Sequence, residues 1–300
     1  MESLGVVYLY RYAEGANPAR RFLKSYGEFP AGITHDFHVI FKGFPDRQSL
    51  IHAQSLFADV PINAVELADI GYDIGSYLEA AKVVGNERLI FLNTFSRILV
   101  PNWLVYFDRA SRRPDVGVVG ATGSWQSNTS GYERHLAARM QQIRALLGGK
   151  SKDGPRPAEN LLIRKRRLRA YVVAPFRYLY CYAEFGRFPN PHIRTNAFMI
   201  ERNRFLSLNF PSFTVKSDVY KFESGRRSMT KQLLSQGLSP VVVDRAGKVH
   251  EIANWKSSST FWMNNQINLV IADNRTLDYE EGNEEFRSFL EHSAWVHPWS

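Results

Sequence analysis

Three kinds of side chain in this sequence could do chemistry, and their surroundings limit what that chemistry can be. Asp73 opens an amphipathic segment, and Asn93 ends the apolar run Arg88–Asn93. An aspartate at a helix start can simply cap free amide donors. In an α/β sheet, however, the same position lies at the carboxyl edge, where ligands bind. Asn93 is likewise either a turn residue or a ligand for phosphate or ribose. Glu223 precedes Arg226 and Arg227 near a helix start, where an acidic side chain is favoured without any ligand. The basic run Arg164–Arg169, followed by Tyr171, Phe176, Tyr178, Tyr180 and Tyr182, is a solvated face or a polyanion contact.

Other chemistries lack their residues. No glycine-rich phosphate loop of either the P-loop or the dinucleotide kind is present, and Gly71-Tyr72-Asp73-Ile74-Gly75 does not supply one. Gly120-Ala121-Thr122-Gly123-Ser124-Trp125 lacks the Gly-x-Ser-x-Gly elbow of a serine hydrolase. Cys181 is the single cysteine, so no intrachain disulfide can form, and no Cys/His cluster has zinc spacing. It reads as a small apolar filler. His250, Trp255, Trp262, Trp295 and Trp299 could stack on sugar rings, but at this density they read as core.

These residues must be positioned by a sheet with helical crossovers. Apolar runs predict strands at Val6–Tyr10, Phe37–Phe44, Ile62–Leu67, Arg88–Asn93 and Val116–Gly120. Between them lie amphipathic helices: Pro18 opening Ala19–Tyr26, Gln48–Leu56, Asp73 or Ile74 through Val84, and Trp103–Ser111. That alternation implies a mostly parallel sheet flanked by helices, an α/β fold. Gly131–Leu147 has the 3.6 period of a further helix, and Gly148–Pro155 is loop-like. The pattern resumes with a strand at Ala197–Ile200, a helix at Ser228–Gln236 and a strand at Pro240–Asp244.

With 44% hydrophobic residues in 300, the chain can build a large core, and no run approaches a membrane span or a signal sequence. A cytoplasmic protein is expected. The net charge of +9 favours anionic partners: nucleotide phosphates, nucleic acid or an acidic membrane surface.

Four segments, in order, resemble a GT-A fold glycosyltransferase of the family 2-like and rhamnan-synthesis type that builds bacterial surface polysaccharides. They are Val6–Tyr10 with Arg11; Asp69–Tyr77, similar to an Asn-x-Gly-x-Asp-x-Gly segment; Leu89–Ser96, a strand running into the family's metal-binding position; and Thr195–Arg202, similar to an acceptor-side segment, followed by Phe222-Glu223-Ser224. The resemblance implies a GT-A-like domain over residues 1–250 with a helical, basic and aromatic insertion at 131–190. Residues 251–300 would form an extension packed on it. It implies a nucleotide-sugar donor held by Tyr10, Arg11, Asp73, Gly75, Asn93, Thr94 and Ser96, and a saccharide or lipid-linked acceptor beside Arg194, Thr195 and Asn196. Glu223 would be the general base of an inverting transfer. Basic and aromatic residues of the insertion would meet an anionic membrane surface peripherally, on its inner face, and nucleic acid is not expected.

One departure matters. Asn93-Thr94-Phe95-Ser96 carries no carboxylate, and Asp-x-Asp occurs nowhere in the chain. Divalent Mg2+ or Mn2+ wants hard oxygen ligands, so no metal residue is assigned and metal dependence is unsupported by the motif. Arg11, Lys42, Arg97 and Arg194 are then the candidates to neutralise a leaving diphosphate. The same departure admits an inactive glycan- or nucleotide-binding protein of this fold, and a basic nucleic-acid-binding protein ranks third.

Overall fold

The computed structural model describes residues 3–130 and 179–297. Its first third alternates as the apolar runs require. Strands β1 (Leu4–Arg11), β2 (Asp36–Lys42), β3 (Asn63–Leu67), β4 (Arg88–Leu92) and β6 (Val116–Gly120) are linked through helices α1 (Ala16–Glu28), α2 (Arg47–Ser55), α3 (Tyr72–Val83) and α4 (Trp103–Ser111). A two-residue strand, β5 (Arg97–Ile98), follows β4, and β7 (Gly123–Ser124) pairs with β8 (His192–Ile193). Then come β9 (Ala197–Glu201), α5 (Arg202–Leu206), α6 (Lys216–Ser224), α7 (Met229–Ser235), β10 (Ser239–Val243) and β11 (Val249–His250). Strand β12 (Ile271–Ala272) and helices α8 (Asn274–Glu281) and α9 (Glu284–Trp295) complete the described residues.

The main sheet has eight strands in the order β11-β10-β6-β9-β4-β1-β2-β3. It is mostly parallel and flanked by helices, the α/β, GT-A-like layout. Two strands depart from parallel pairing. Strand β9 runs antiparallel to β4 and β6, and β11 antiparallel to β10. Alternation along β1 sends Val6, Tyr8 and Tyr10 to one face with α1, α2 and α4, and Val7 and Leu9 to the other with α3, α6 and α7. Burial on both faces is why these strands read as nearly unbroken apolar runs.

Of the residues after 250, Val270 and Ile271 join the first face and a larger group joins the second. Trp255, Trp262 and Trp295 are buried there with Phe261, Tyr279 and Leu290. The ring of Trp255 lies so close to Gly123 that a Cβ there would stand 2.6 Å away, so only glycine fits. The expected helix at Gly131–Leu147, the Gly148–Pro155 loop, the Arg164–Arg169 run with Tyr171, Phe176 and Tyr178, and Trp299 lie outside the described residues. Among the described residues, no helix is long and apolar enough to cross a membrane.

Candidate functional site

The antiparallel course of β9 decides what meets at the edge of the sheet. Parallel strands present their carboxyl ends there, and an antiparallel neighbour presents its amino end. Leu92 therefore pairs with Ala197, and Gly120 with Phe198. The Asn93 amide donates to the Asn196 carbonyl at 3.0 Å, and the Arg194 amide to the Thr122 carbonyl at 3.1 Å. Residues 93 and 194–196, a hundred positions apart in sequence, thus share one rim.

Two depressions open along this rim and meet at Asp73. One, of about 750 Å³, is lined by Arg11, Asp69–Asp73, Gly75 and the Pro211–Thr214 segment. The other, of about 410 Å³, is lined by Asp73, Asn93, His192, Arg194–Asn196, Glu223, Lys216, Trp262 and Asp273–Arg275, among others. Asp73 is held at the junction by a distinctive turn. Gly71, in the left-handed region at φ +76°, is the N-cap of α3, and Tyr72 follows at φ +52°. The buried Lys42 ammonium donates to the Tyr72 carbonyl at 2.5 Å, and the Ser76 hydroxyl to the same oxygen at 2.7 Å. Because Gly71 takes the cap position, the Asp73 carboxylate is not a helix cap, as the sequence allowed. It makes no hydrogen bond to a described residue and is exposed to solvent at the mouth of both depressions. Partial desolvation by the protein around it raises its pKa, against the pull of Lys42 and Arg11.

Glu223 sits in the second depression, one residue before the end of α6. It does not pair with Arg226 or Arg227: the Arg226 guanidinium turns away to the Tyr182 carbonyl at 2.9 Å. Instead the Thr195 hydroxyl donates to Oε2 at 2.7 Å, and Arg194 Nη1 lies 3.4 Å from Oε1. Burial would raise the pKa of Glu223, but Arg194, His192 and the Thr195 donors together bring it below the ordinary value. His192 Nε2 lies 3.9 Å from Oε1. Its Nδ1 is 2.8 Å from the Asn190 carbonyl, which can only accept, so Nδ1 carries the proton. Burial, the largest cause, lowers the His192 pKa to about 4, against the pull of Glu223. The imidazole is therefore neutral near pH 7. Asn190 also pins the end of α6 by donating to the Ser224 carbonyl at 2.7 Å.

The Asn93 turn bears on the metal question. Asn93 Oδ1 accepts from the Phe95 amide at 3.0 Å and the Ser96 hydroxyl at 3.1 Å, and the Thr94 carbonyl accepts from the Tyr8 hydroxyl at 2.8 Å. These oxygens close a turn, and no carboxylate stands among them. Among the described residues, no three of His, Cys, Asp and Glu are grouped so as to hold a metal ion. The residues present do not fit a carboxylate-held divalent cation.

Of the residues singled out in sequence, the second depression brings together Asp73, Asn93, Arg194, Thr195, Asn196 and Glu223. Arg11 and Gly75 line the first, with Arg11 gripped by Asp69 in two hydrogen bonds of 2.8 and 2.9 Å. Tyr10, Thr94 and Ser96 are buried and line neither: Tyr10 packs among Phe41, Phe44 and Phe57, and Ser96 serves the turn. His250 is buried against Asp244 at 2.8 Å.

Sequence reading missed His192, Lys216 and the Asp273–Arg275 segment. His192 lies on a two-residue strand with no period to notice. Asp273 had a signal, as an aspartate before a helix start, and in the structure it caps α8 through the Thr276 amide at 2.9 Å. Three bulky lining residues, Tyr72, Phe213 and Trp262, have φ between +41° and +53°, a conformation costly for such side chains that gathers at functional sites.

No protein-family profile and no curated protein matches the sequence. Solved structures do. The mannosyltransferase PcManGT of Pyrobaculum calidifontis, solved with GDP-Man and Mn2+, is 14% identical over 39% of this chain and 34% of its own, with a TM-score of 0.33. TarS 1–349 of S. aureus is 16% identical over 39% and 34%, with a TM-score of 0.30. Mouse xyloside xylosyltransferase 1 is 13% identical over 81% and 85%, with a TM-score of 0.40. The matched region thus spans about a third of the mannosyltransferase and TarS chains.

Proposed function

We propose that this chain is a glycosyltransferase that moves a sugar from a nucleotide diphosphate to a saccharide or lipid-linked acceptor with inversion. The observation that carries the reading is the convergence of Asp73, Asn93 and Glu223 on one cleft at the carboxyl edge of the sheet. The sequence segments that resemble the GT-A enzymes contribute those residues. The nucleoside lies in the Arg11–Asp69–Asp73 depression, and the diphosphate and sugar extend past Asp73 into the second.

There the acceptor hydroxyl oxygen attacks the anomeric carbon from the Glu223 side. The new carbon–oxygen bond forms as the bond to the diphosphate breaks, the bonding pair leaves with the diphosphate, and Glu223 takes the hydroxyl proton. Thr195 and Arg194 hold that carboxylate ionised and fixed in direction. No step is assigned to a metal.

The test is incubation with a panel of sugar nucleotides, with and without EDTA, following nucleotide release. Release from one donor is expected, and it should survive EDTA. If no donor binds or reacts under either condition, the reading fails. A second reading, a nucleotide- or glycan-binding protein without turnover, draws on the Arg194 contact, because a carboxylate whose pKa is lowered is a weaker base.

A further inference from the structure

Resting on that reading, we infer that Arg275 and Lys216 hold the donor diphosphate where related chemistry would place a metal. The four cations expected at the diphosphate are each engaged elsewhere, and of the four only Arg194 lines the second depression. Arg11 grips Asp69, the Lys42 ammonium is buried beneath the Tyr72 carbonyl, and Arg97 pairs with Glu280 at 3.1 Å. Arg194 is bound to Glu223.

Lys216 and Arg275 line the same cleft as Asn93 and Glu223 and come from opposite directions in the chain. Lys216 is the first residue of α6, and among the described residues it pairs with no carboxylate; its ammonium rests 5.9 Å from the centre of the Tyr220 ring. Arg275 arrives by way of the β5–β12 pairing. Ile271 lies opposite Ile98, and Ala272 opposite Arg97. Continued by one residue, that register sets Asp273 opposite Ser96, and α8 begins at Asn274, so Arg275 stands in the first turn of a helix whose start lines the cleft. Among the described residues, the Arg275 guanidinium meets only Asp278, at 3.5 Å on the exposed face of α8, a pair weak enough to exchange for a ligand.

Uncharged donors complete the cradle. Asn93 and Asn196 are each 8% exposed and line the cleft. Their Oδ1 atoms are bonded, Asn196 accepting from the Thr122 hydroxyl at 3.0 Å, while their Nδ2 amides make no hydrogen bond to a described residue. The starts of α6 and α8 also face this cleft; Asp273 caps α8, while Asp218 accepts from the Thr214 and Val215 amides ahead of α6. As the bond to the sugar breaks, the diphosphate gains negative charge. Two cations and two amides at its oxygens stabilise that change without a metal.

The experiment is calorimetric titration of the full chain with UDP and GDP in EDTA, for the wild type, Lys216→Gln, Arg275→Gln and the double variant, with uridine and guanosine as matched nucleosides. One diphosphate should bind the wild type in EDTA. Each single change should weaken it about tenfold, as expected for a lost charge-assisted bond, with nucleoside affinity unchanged. Lys216→Arg and Arg275→Lys should retain most of the affinity, and both positions are exposed, so folding is unaffected. Equal affinity in the Gln variants and the wild type, or binding that requires added Mn2+, overturns this assignment while leaving the glycosyltransferase reading standing. If neither diphosphate binds the wild type with or without Mn2+, this assignment fails, and the glycosyltransferase reading fails with it if the sugar-nucleotide panel is negative too.

Discussion

The two depressions that meet at Asp73 contain similar residue types in opposite states. In the first, the charges other than the shared Asp73 answer one another: Asp69 holds Arg11 through both oxygens, Glu14 reaches the same guanidinium at 3.2 Å, and Lys42 lies 3.9 Å from Asp69. In the second, Lys216 has no carboxylate partner among the described residues, and the Asn93 and Asn196 amides have donors to spare. A site whose charges are mutually satisfied is a shaped scaffold, suited to a neutral nucleoside. A site with spare donors is one that a polyanion completes. Glu223 lies in the second, which is where bond breaking belongs.

The largest expected effect breaks the comparison at Glu223. Glu223→Gln should lower turnover by about 10²–10⁴-fold while nucleotide affinity, measured by calorimetry, stays within about twofold. Unchanged turnover would move the chemistry out of the second depression. Next is a pH effect carried by His192. Its pKa falls from 6.5 unfolded to about 4 folded, so between those values the unfolded chain binds the extra proton. Stability is therefore lost as pH falls through that window, by up to ~3 kcal/mol, and is level above it. Denaturant unfolding from pH 7 to 4 should show the slope, and His192→Asn should flatten it.

A smaller effect is expected at Thr195. Its hydroxyl favours the ionised form of Glu223, so Thr195→Val should raise the carboxyl pKa and move the acid limb of the pH–rate profile upward. An unmoved limb would mean that Thr195 does not set the base. The smallest lies in the first depression. Arg11→Gln breaks an ion pair more than a third exposed on both sides, so it should cost no more than ~1 kcal/mol in unfolding. It should also weaken nucleotide binding less than Lys216→Gln or Arg275→Gln, and the reverse order would invert the comparison.

What could be read in the sequence follows from the range of the forces involved. Strand and helix periods are local, so Trp103–Ser111 and Val116–Gly120 were legible to the residue. Asp73 and Asn93 stood out because each lies at the end of an element, and Glu223 because its segment resembles the base-bearing segment of the GT-A enzymes. Their meeting was not legible from spacing, because it depends on β9 entering antiparallel between β4 and β6, a pairing set by tertiary packing. The same holds for Arg275, which reaches the cleft only through the two-residue pairing of β5 and β12. Tyr10 shows the opposite case: the resemblance assigned it to the donor, and alternation along β1 turns it into the aromatic core instead.

The central claim is that one donor spans both depressions, and a crystal structure of the full chain with an intact sugar nucleotide tests it most directly. The account predicts the nucleoside beside Asp69 and Asp73, the diphosphate within hydrogen-bond distance of Arg275, Lys216 and the Asn93 amide, and the anomeric carbon facing Glu223. A donor seated elsewhere, such as the arginine-lined cleft of Arg88, Arg112, Arg202 and Arg204 at the other end of β4 and β6, would contradict it.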